Sequence, residues 1–222
     1  MDRRRLLLAT CALPLAGSPV RAAPGDGEAA TGIREALERG ATAAVALLGR
    51  DGGFLGNPRV RIELPGVLKD AAKVLRFTGQ QRRLDELVAA MNRAAEQAVP
   101  EAKALLVSAV RSLSLGDAMR IVRGGETSVT DFFAAKTRSP LASRFLPIVQ
   151  RETDRVDLAS RYNALVGSFA GKGGDASDRT VEGYVTKKAL DGLYLVIGDE
   201  EKKIRRDPVG TGSAILGRVF GR

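Results

Sequence analysis

The stretch EAATGIREALERGATAAVALL, residues 28–48, decides the fold of this chain. Its apolar residues recur at steps of three and four, at Ile33, Leu37, Ala41, Ala44, Leu47 and Leu48. On a helix with 3.6 residues per turn, these positions form one continuous stripe. The stretch therefore predicts an amphipathic helix that ends near Gly49 and buries its apolar stripe against other helices.

The same period continues along most of the chain. It predicts further helices near residues 67–75, 84–99, 102–110, 114–121, 128–133, 141–169, 181–197 and 215–220. Only residues 60–64 alternate between apolar and polar, which predicts one short extended segment without partner strands. We therefore expect an all-α, single-domain bundle of about eight helices, with one long ordered loop near residues 49–65.

Prolines and polar residues mark the expected helix ends. Pro100 either kinks a long helix or starts a new one, and Pro147 breaks or kinks the segment 141–169. Residues 114–117 and 128–131 both match a capping box with Asp in the place of Glu.

Composition excludes many kinds of catalysis. The 222 residues contain no His and no Trp, and the single cysteine, Cys11, lies in a segment that we expect to be removed. Catalytic triads, His general bases and His-containing metal sites are therefore ruled out. Residues 51–53 lack the alternating acidic ligands of a calcium loop. We expect neither a cofactor nor a metal.

The N-terminus has the features of an export signal. Arg3, Arg4 and Arg5 precede an apolar run over residues 6–15, and small or apolar side chains place the cleavage after Ala22. We predict a signal peptide at 1–22, a flexible leader at 23–31 and one helical domain at 32–222. The protein is expected in the periplasm, exported by the general or the twin-arginine route. Lipidation at Cys11 is not favoured, because Thr10 is too large for a lipobox.

Charge points away from nucleic acid. The net charge is +9, and removal of residues 1–22 takes away four arginines and one aspartate, which leaves +6. Most basic residues alternate with acidic ones, and the denser basic runs lack neighbouring aromatic side chains for base stacking. No second apolar run is long enough to cross a bilayer, so we expect no transmembrane segment in the mature chain.

Six short motifs occur in a fixed order. They are DGGFLGNP at 51–58, IELP at 62–65, MNRAAE at 91–96, YVTKKALDGL at 184–193, IRRDP at 204–208 and VFG at 219–221. Together they resemble a family of exported bacterial proteins, domain-of-unknown-function family 4197. The resemblance spans nearly all of the mature chain. It implies a mostly helical exported domain and no assigned activity.

The MNRAAE motif supplies the main candidate site. On a helix, Asn92 and Glu96 share a face and Arg93 can pair with Glu96. These three side chains either bind a polar ligand or satisfy the peptide groups of the loop at 51–65, and the second interpretation is favoured. Within that loop, Gly52, Gly53 and Gly56 are expected to allow positive φ while Phe54 and Leu55 fill the core.

Other motif residues complete the candidate site. Arg205 or Arg206 is expected either to tie the C-terminal segment to a buried carboxylate such as Glu96 or Asp191, or to hold an anion. The candidate binding residues are thus Asn92, Arg93, Glu96, Phe54, Asn57, Asp191 and Arg205.

Three functions remain open. The first is a non-catalytic binding or interaction domain whose partner is an envelope protein or a small polar or anionic ligand. The alternative is a carboxylate-dependent hydrolase of envelope polymers, which requires the fold to bring Glu96 close to Asp85 or Asp191. With three Tyr and no Trp, the chain offers few aromatic platforms for a sugar substrate. The third is a purely structural periplasmic component, which is hard to separate from the first.

Overall fold

A computed structural model describes residues 26–65, 79, 81–155, 159–160, 163 and 180–207. Within them lie six α-helices and one 3-10 turn, and no strand is present there. The helices are α1 (Asp26–Leu48), α2 (Gln81–Ala98), α3 (Ala102–Arg111), α4 (Leu115–Arg123), α5 (Ser128–Thr153) and α6 (Val181–Arg206), with the 3-10 turn at Val99–Glu101. The prediction of an all-α fold is confirmed.

One core joins these helices into a single domain. Helix α6 packs against α1, α2 and α5, and the buried apolar residues form one cluster that extends from Ala30 to Ile197. Phe54, Phe133 and Phe145 are the largest side chains that are fully buried in it. Because Phe54 belongs to the loop between α1 and α2, the loop is part of the core.

Fewer helices are described than the eight expected, partly because α5 joins the helices predicted separately near 128–133 and 141–169 and is not broken at Pro147. Helix α5 continues through Pro140 and Pro147, both of which are exposed. Each proline removes one backbone hydrogen bond, but only on the solvent side, while the buried stripe of Phe133, Leu141, Phe145 and Val149 continues beneath them. The charged residues 199–206, which lie beyond the helix predicted at 181–197, also belong to α6. The helices predicted near 67–75 and 215–220 lie outside the described residues.

Helix starts differ from the sequence predictions in two places. Helix α1 begins at Asp26, so residues 26–31, which we expected in a flexible leader, are helical; Glu28, Ala29 and Ala30 favour this conformation. The capping box at Ser114 is formed, but the one at Ser128 is not. Thr127 occupies the N-cap of α5, and Ser128 already lies in the first helical turn.

The capping box at Ser114 also favours the ionised form of the Asp117 carboxylate. Ser114 Oγ accepts a hydrogen bond from the backbone N–H of Asp117 at 3.1 Å. The Asp117 carboxylate accepts one from the Ser114 hydroxyl at 2.7 Å and one from its N–H at 3.3 Å. These bonds from Ser114 lower the pKa of Asp117. The first turn of helix α4 therefore carries an ionised aspartate.

None of the helices that the structure describes combines the length and the apolar character that crossing a bilayer requires.

Candidate functional site

The loop at residues 49–65 begins with consecutive tight turns. Backbone N–H groups of Gly53 and Gly56 donate to the carbonyl oxygens of Arg50 and Gly52, at 2.9 Å in both cases. Gly52 has φ +73°, as expected, but Gly53 and Gly56 do not adopt positive φ. Space requires glycine at Gly53, where a Cβ atom would lie 2.4 Å from the carbonyl oxygen of Leu48.

Phe54 anchors the loop to α6. Its side chain is fully buried and lies against Gly192, where a Cβ atom would come within 2.8 Å of the ring carbon Cε1 and 3.3 Å of Val60 Cβ. The absence of a side chain at Gly192 thus creates the space that the ring fills. Phe54, one of the candidate binding residues, holds the loop in place and is inaccessible to a partner.

Glu96 holds the first half of the loop. Its Oε1 atom accepts hydrogen bonds from the backbone N–H groups of Phe54 at 2.9 Å and Leu55 at 3.1 Å. The glutamate is 7% exposed. Two peptide donors therefore solvate a carboxylate that water hardly reaches.

Asn92 holds the second half in the same way. Its Oδ1 atom accepts from the backbone N–H of Ile62 at 2.8 Å, and its Nδ2 atom donates to the carbonyl oxygen of Ile62 at 2.9 Å. A further bond from Nδ2 reaches the Val88 carbonyl oxygen at 2.8 Å. One side-chain amide thus pairs with both polar groups of a peptide residue, as a neighbouring strand would.

Residues 60–64, predicted to be extended, show the expected alternation of burial and lie along α6, although Val60 still belongs to a turn. Val60, Ile62 and Leu64 are buried while Arg61 and Glu63 are exposed. The Tyr184 hydroxyl donates to the Glu63 carbonyl oxygen at 3.0 Å, and Arg59 forms an ion pair with Asp199. The loop is therefore fastened to α6 near both ends of this segment.

These contacts decide between the two interpretations of the MNRAAE motif. Asn92 and Glu96 satisfy peptide groups of the loop, so the favoured interpretation is confirmed for them. Arg93 is exposed and forms no ion pair with Glu96 among the described contacts. The three side chains do not converge on a common ligand position.

The remaining motif residues serve local contacts. Asn57 Oδ1 accepts a hydrogen bond from the backbone N–H of Arg59 at 3.2 Å, which stabilises a turn inside the loop. Asp191 is exposed on α6 and pairs with Arg138 of α5 at 2.9 Å. Arg138 also lies over the ring of Tyr194, 4.8 Å from its centroid.

Tyr194 links α5 and α6 in the core. Its hydroxyl and that of Thr137 are 2.9 Å apart, and both residues are buried. Burial raises the pKa of the Tyr194 phenol, while the hydrogen bond with Thr137 acts in the opposite direction. The phenol therefore stays neutral and can donate in the contact.

Arg205 ties α6 to a carboxylate, but the partner differs from those expected. Its Nε and one terminal nitrogen donate to Glu201 Oε1 at 3.0 and 2.8 Å. The same terminal nitrogen donates to the Ile121 carbonyl oxygen at 2.9 Å and to Ser128 Oγ at 2.8 Å. The expectation of Glu96 or Asp191 was wrong because Arg205 lies one helical turn from Glu201.

The carboxylates considered for hydrolysis are either far apart or occupied by other partners. Asp85 and Glu96 are eleven residues apart on α2, or about 16 Å along its axis. Asp191 pairs with Arg138, whereas Glu96 binds the loop backbone. Glu200 pairs with Lys203, and in the described part of the chain no three acidic residues cluster as a metal site would need.

Sequence reasoning missed the residues of α6 that receive the loop. Gly192, Tyr184 and Asp199 were taken as parts of a helix or of a charged segment. The glycine gave a usable signal, because an isolated glycine inside an apolar helical pattern often marks close packing. The Arg59–Asp199 pair joins residues 140 positions apart, and local sequence carries no sign of it.

Comparison with known proteins gives one assignment. No curated protein and no solved structure matches this chain. A family model described as "Protein of unknown function (DUF4197)" matches residues 23–221, which cover the loop, all six helices and every motif quoted above. This chain therefore belongs to the DUF4197 family of proteins of unknown function.

Proposed function

We propose that this protein is an exported, periplasmic and non-catalytic binding domain that recognises another envelope protein through the exposed side of the loop at residues 49–65. The observation that carries the proposal is the fixation of this loop. Irregular segments of this length are uncommon in compact domains and usually serve a function. Here Glu96, Asn92, Tyr184, Asp199 and the Gly192 cleft all hold it in one conformation.

A fixed loop suits recognition because little conformational entropy is lost when a partner binds. The outward side of the loop consists of small or charged residues that are exposed to solvent: Asp51, Gly52, Gly56, Pro58, Arg59, Arg61 and Glu63. This surface is polar and exposed, which suits the rim of a protein interface.

A protein partner is favoured over a small polar or anionic ligand. The polar atoms that were candidates for a small ligand, on Asn92 and Glu96, already bind the loop backbone. The hydrolase alternative gains no support, because Asp85 lies about 16 Å along α2 from Glu96. In addition, Glu96 is engaged by the loop backbone and Asp191 by Arg138.

The family match supports the export part of the proposal. It begins at residue 23, directly after the predicted cleavage at Ala22. A removable leader in front of a conserved domain would give this boundary. Residues 1–22 lie outside the described residues.

The proposal is tested with a charge swap on the loop. Arg61 and Glu63 form an exposed ion pair at 3.0 Å, so Arg61→Glu/Glu63→Arg inverts the local surface while keeping the pair and the net charge. The matched control is Arg82→Glu/Glu86→Arg, which swaps an exposed pair on α2. Tagged proteins are used to capture partners from an envelope extract, and mass spectrometry quantifies them.

We expect the control to recover the same partner as the unaltered protein and the loop swap to lose it at least tenfold. Recovery of the same proteins in equal amounts by all three would show that this surface is not the interface. Circular dichroism must first show the same helical content in all three proteins.

A further inference from the structure

The outer side of α5 carries a run of positive charge that the proposed function does not use. Residues 132–151 contain Lys136, Arg138, Arg144 and Arg151 and no acidic residue. In α1, α2 and α6, by contrast, basic and acidic residues are interspersed. This helix therefore concentrates a charge that the rest of the surface disperses.

Helix geometry separates these charges from the core. The residues Phe133, Thr137, Leu141, Phe145 and Val149 are buried at steps of four. Beside and away from this stripe, Lys136, Pro140, Arg144, Pro147 and Arg151 are all exposed at steps of three and four, and we call these five residues the basic face. The first three lie about 100° around the helix from the stripe, and Pro147 and Arg151 lie opposite it. The basic face extends about 22 Å along the helix.

The cations of the basic face are largely uncompensated. Arg138, which lies outside the face, pairs with Asp191. Lys136 lies near Asp117 and contributes to lowering its pKa, after the larger effect of the bonds from Ser114. Arg144 and Arg151 pair with no acidic residue among those that the structure describes, because Glu152 is taken by Arg155 at 3.4 Å.

Apolar groups lie among these cations. The rings of Pro140 and Pro147 are exposed between the basic residues, and Leu146, 42% exposed, lies at the other edge of the outward surface, about 160° around the helix from Arg144. Leu115 and Leu195 are exposed to a similar degree, but only Leu146 lies on the helix that carries the basic face. The combination of long cationic side chains and an exposed leucine is typical of helices that lie at a lipid interface.

The shape of the face distinguishes among anionic partners. A single helix contacts a flat surface along its length. Lys136 also lines an open cleft, but Asp117 and Asp131 line it too, and their carboxylates disfavour a small anion there. Phe133 and Phe145 are buried and Phe132 is half-buried and packs on the core, so the face has no aromatic platform for nucleobases. A bilayer with anionic headgroups meets the charges and also accepts the leucine.

We propose that the basic face of α5 docks this protein reversibly on an anionic lipid surface. Arginine and lysine side chains contact the phosphate headgroups while Leu146 enters the boundary between headgroups and acyl chains. Each basic residue near such a surface contributes about fivefold in affinity, so three give weak, salt-sensitive binding and no permanent anchor. This proposal is independent of the role of the loop.

The test measures sedimentation with vesicles of phosphatidylcholine alone and with vesicles that contain phosphatidylglycerol. It uses residues 23–222, since the apolar leader would itself bind membranes and the described core begins at Ala30. The variants are Arg144→Glu/Arg151→Glu, Leu146→Ser, and the control Arg111→Glu/Arg123→Glu. The control changes the net charge equally at exposed sites on α3 and α4.

We expect binding only to the anionic vesicles, weakening as salt is raised. Arg144→Glu/Arg151→Glu should lower the partition constant about 30-fold or more, since two cations are lost, and the control should lower it far less. Leu146→Ser should lower it severalfold at constant charge. Thermal unfolding of each variant checks that the fold is retained.

Three results would overturn the proposal. The first is no binding of the unaltered protein to anionic vesicles. The second is an equal loss in the two doubly reversed variants, which would indicate net charge alone. The third is binding to soluble polyanions such as duplex DNA as strong as binding to vesicles, with no effect of Leu146→Ser, which would assign the face to polyanions in solution.

Discussion

Gly192 is the residue of α6 against which Phe54 and Val60 of the loop pack. A Cβ atom there would meet the fully buried ring of Phe54 at 2.8 Å and Val60 at 3.3 Å. Gly40 offers a comparison, since it is also a buried glycine inside a helix. A Cβ atom at Gly40 would lie 3.6 Å from Glu200 Cβ and 3.8 Å from Ile204 Cδ1, which is ordinary contact.

We predict opposite effects of alanine at the two glycines. Both substitutions gain about 0.5–1 kcal/mol from helix propensity, so the difference between them isolates the packing effect. Overpacking of this kind costs about 1–3 kcal/mol. Gly192→Ala should therefore be less stable than Gly40→Ala by about 1–3 kcal/mol in urea unfolding. Equal stabilities would mean that Phe54 moves aside without cost and does not fix the loop.

Residue types could be predicted from the sequence better than their partners. Asn92 and Glu96 stand in a helix beside a long loop whose peptide groups need partners, and this reasoning correctly gave their role. Arg205 was correctly assigned to a carboxylate, but the acid was the wrong one. Which peptide meets which side chain depends on the path of the loop in space, and spacing along one helix does not determine that path.

At the scale of elements, α5 begins on side chains of α6. The backbone N–H of Val129 donates to the Glu201 carboxylate at 3.2 Å, and Arg205 completes the contact through Ser128. A cap supplied by another helix replaces the local capping box that the sequence suggested. The start of α5 therefore depends on tertiary packing, which explains why the local pattern misled.

We predict strong coupling between Glu201 and Arg205. The glutamate side chain is 2% exposed, so Arg205→Ala leaves a buried carboxylate without its cation and should cost about 2–4 kcal/mol of unfolding free energy. Glu201→Ala/Arg205→Ala removes both charges. It should be destabilised by at least 1 kcal/mol less than the sum of the single variants.

A double-mutant cycle by urea unfolding measures this coupling. The pair Glu200 and Lys203 serves as the control, since it is an ion pair on the same helix with a Lys side chain that is 66% exposed. Its coupling should stay below about 0.5 kcal/mol. Additive effects at Glu201 and Arg205 would contradict the structural role given to the pair.

Helix periodicity predicted most elements but not their lengths. The apolar stripe of α5 runs beneath Pro140 and Pro147, and burial of Leu141, Phe145 and Val149 outweighs the two lost hydrogen bonds. Proline rules consider the backbone alone, so they predicted an end where packing maintains the helix. The same argument explains why the charged residues 199–206 extend α6.

At the scale of the whole molecule, the loop and the bundle behave as one cooperative unit. The loop contributes Phe54, Val60, Ile62 and Leu64 to the common core. It also forms hydrogen bonds with side chains of α2 and α6. Opening the loop therefore exposes apolar surface of both helices. We expect its opening free energy to approach that of global unfolding.

This expectation predicts resistance of the loop to trypsin. Arg59 and Arg61 are exposed, but a protease needs an extended stretch of chain around the cleaved bond, and that requires the contacts of Asn92 and Glu96 to break. Cleavage after these arginines should be slower by at least a hundredfold than in a free peptide of residues 49–65. Timed digestion with mass spectrometry of the fragments measures both rates.

Asn92→Ala tests whether the amide is what closes the loop. The substitution leaves the N–H and carbonyl groups of Ile62 without their partner, at a cost of about 2–4 kcal/mol. Cleavage after Arg59 and Arg61 should accelerate by at least tenfold, while Gln97→Ala, an exposed change on the same helix, should leave the rate unchanged. If trypsin cut the loop of the unaltered protein as fast as the peptide, the contacts of Asn92 and Glu96 would not hold the loop closed. The loop would then not be a preformed recognition surface.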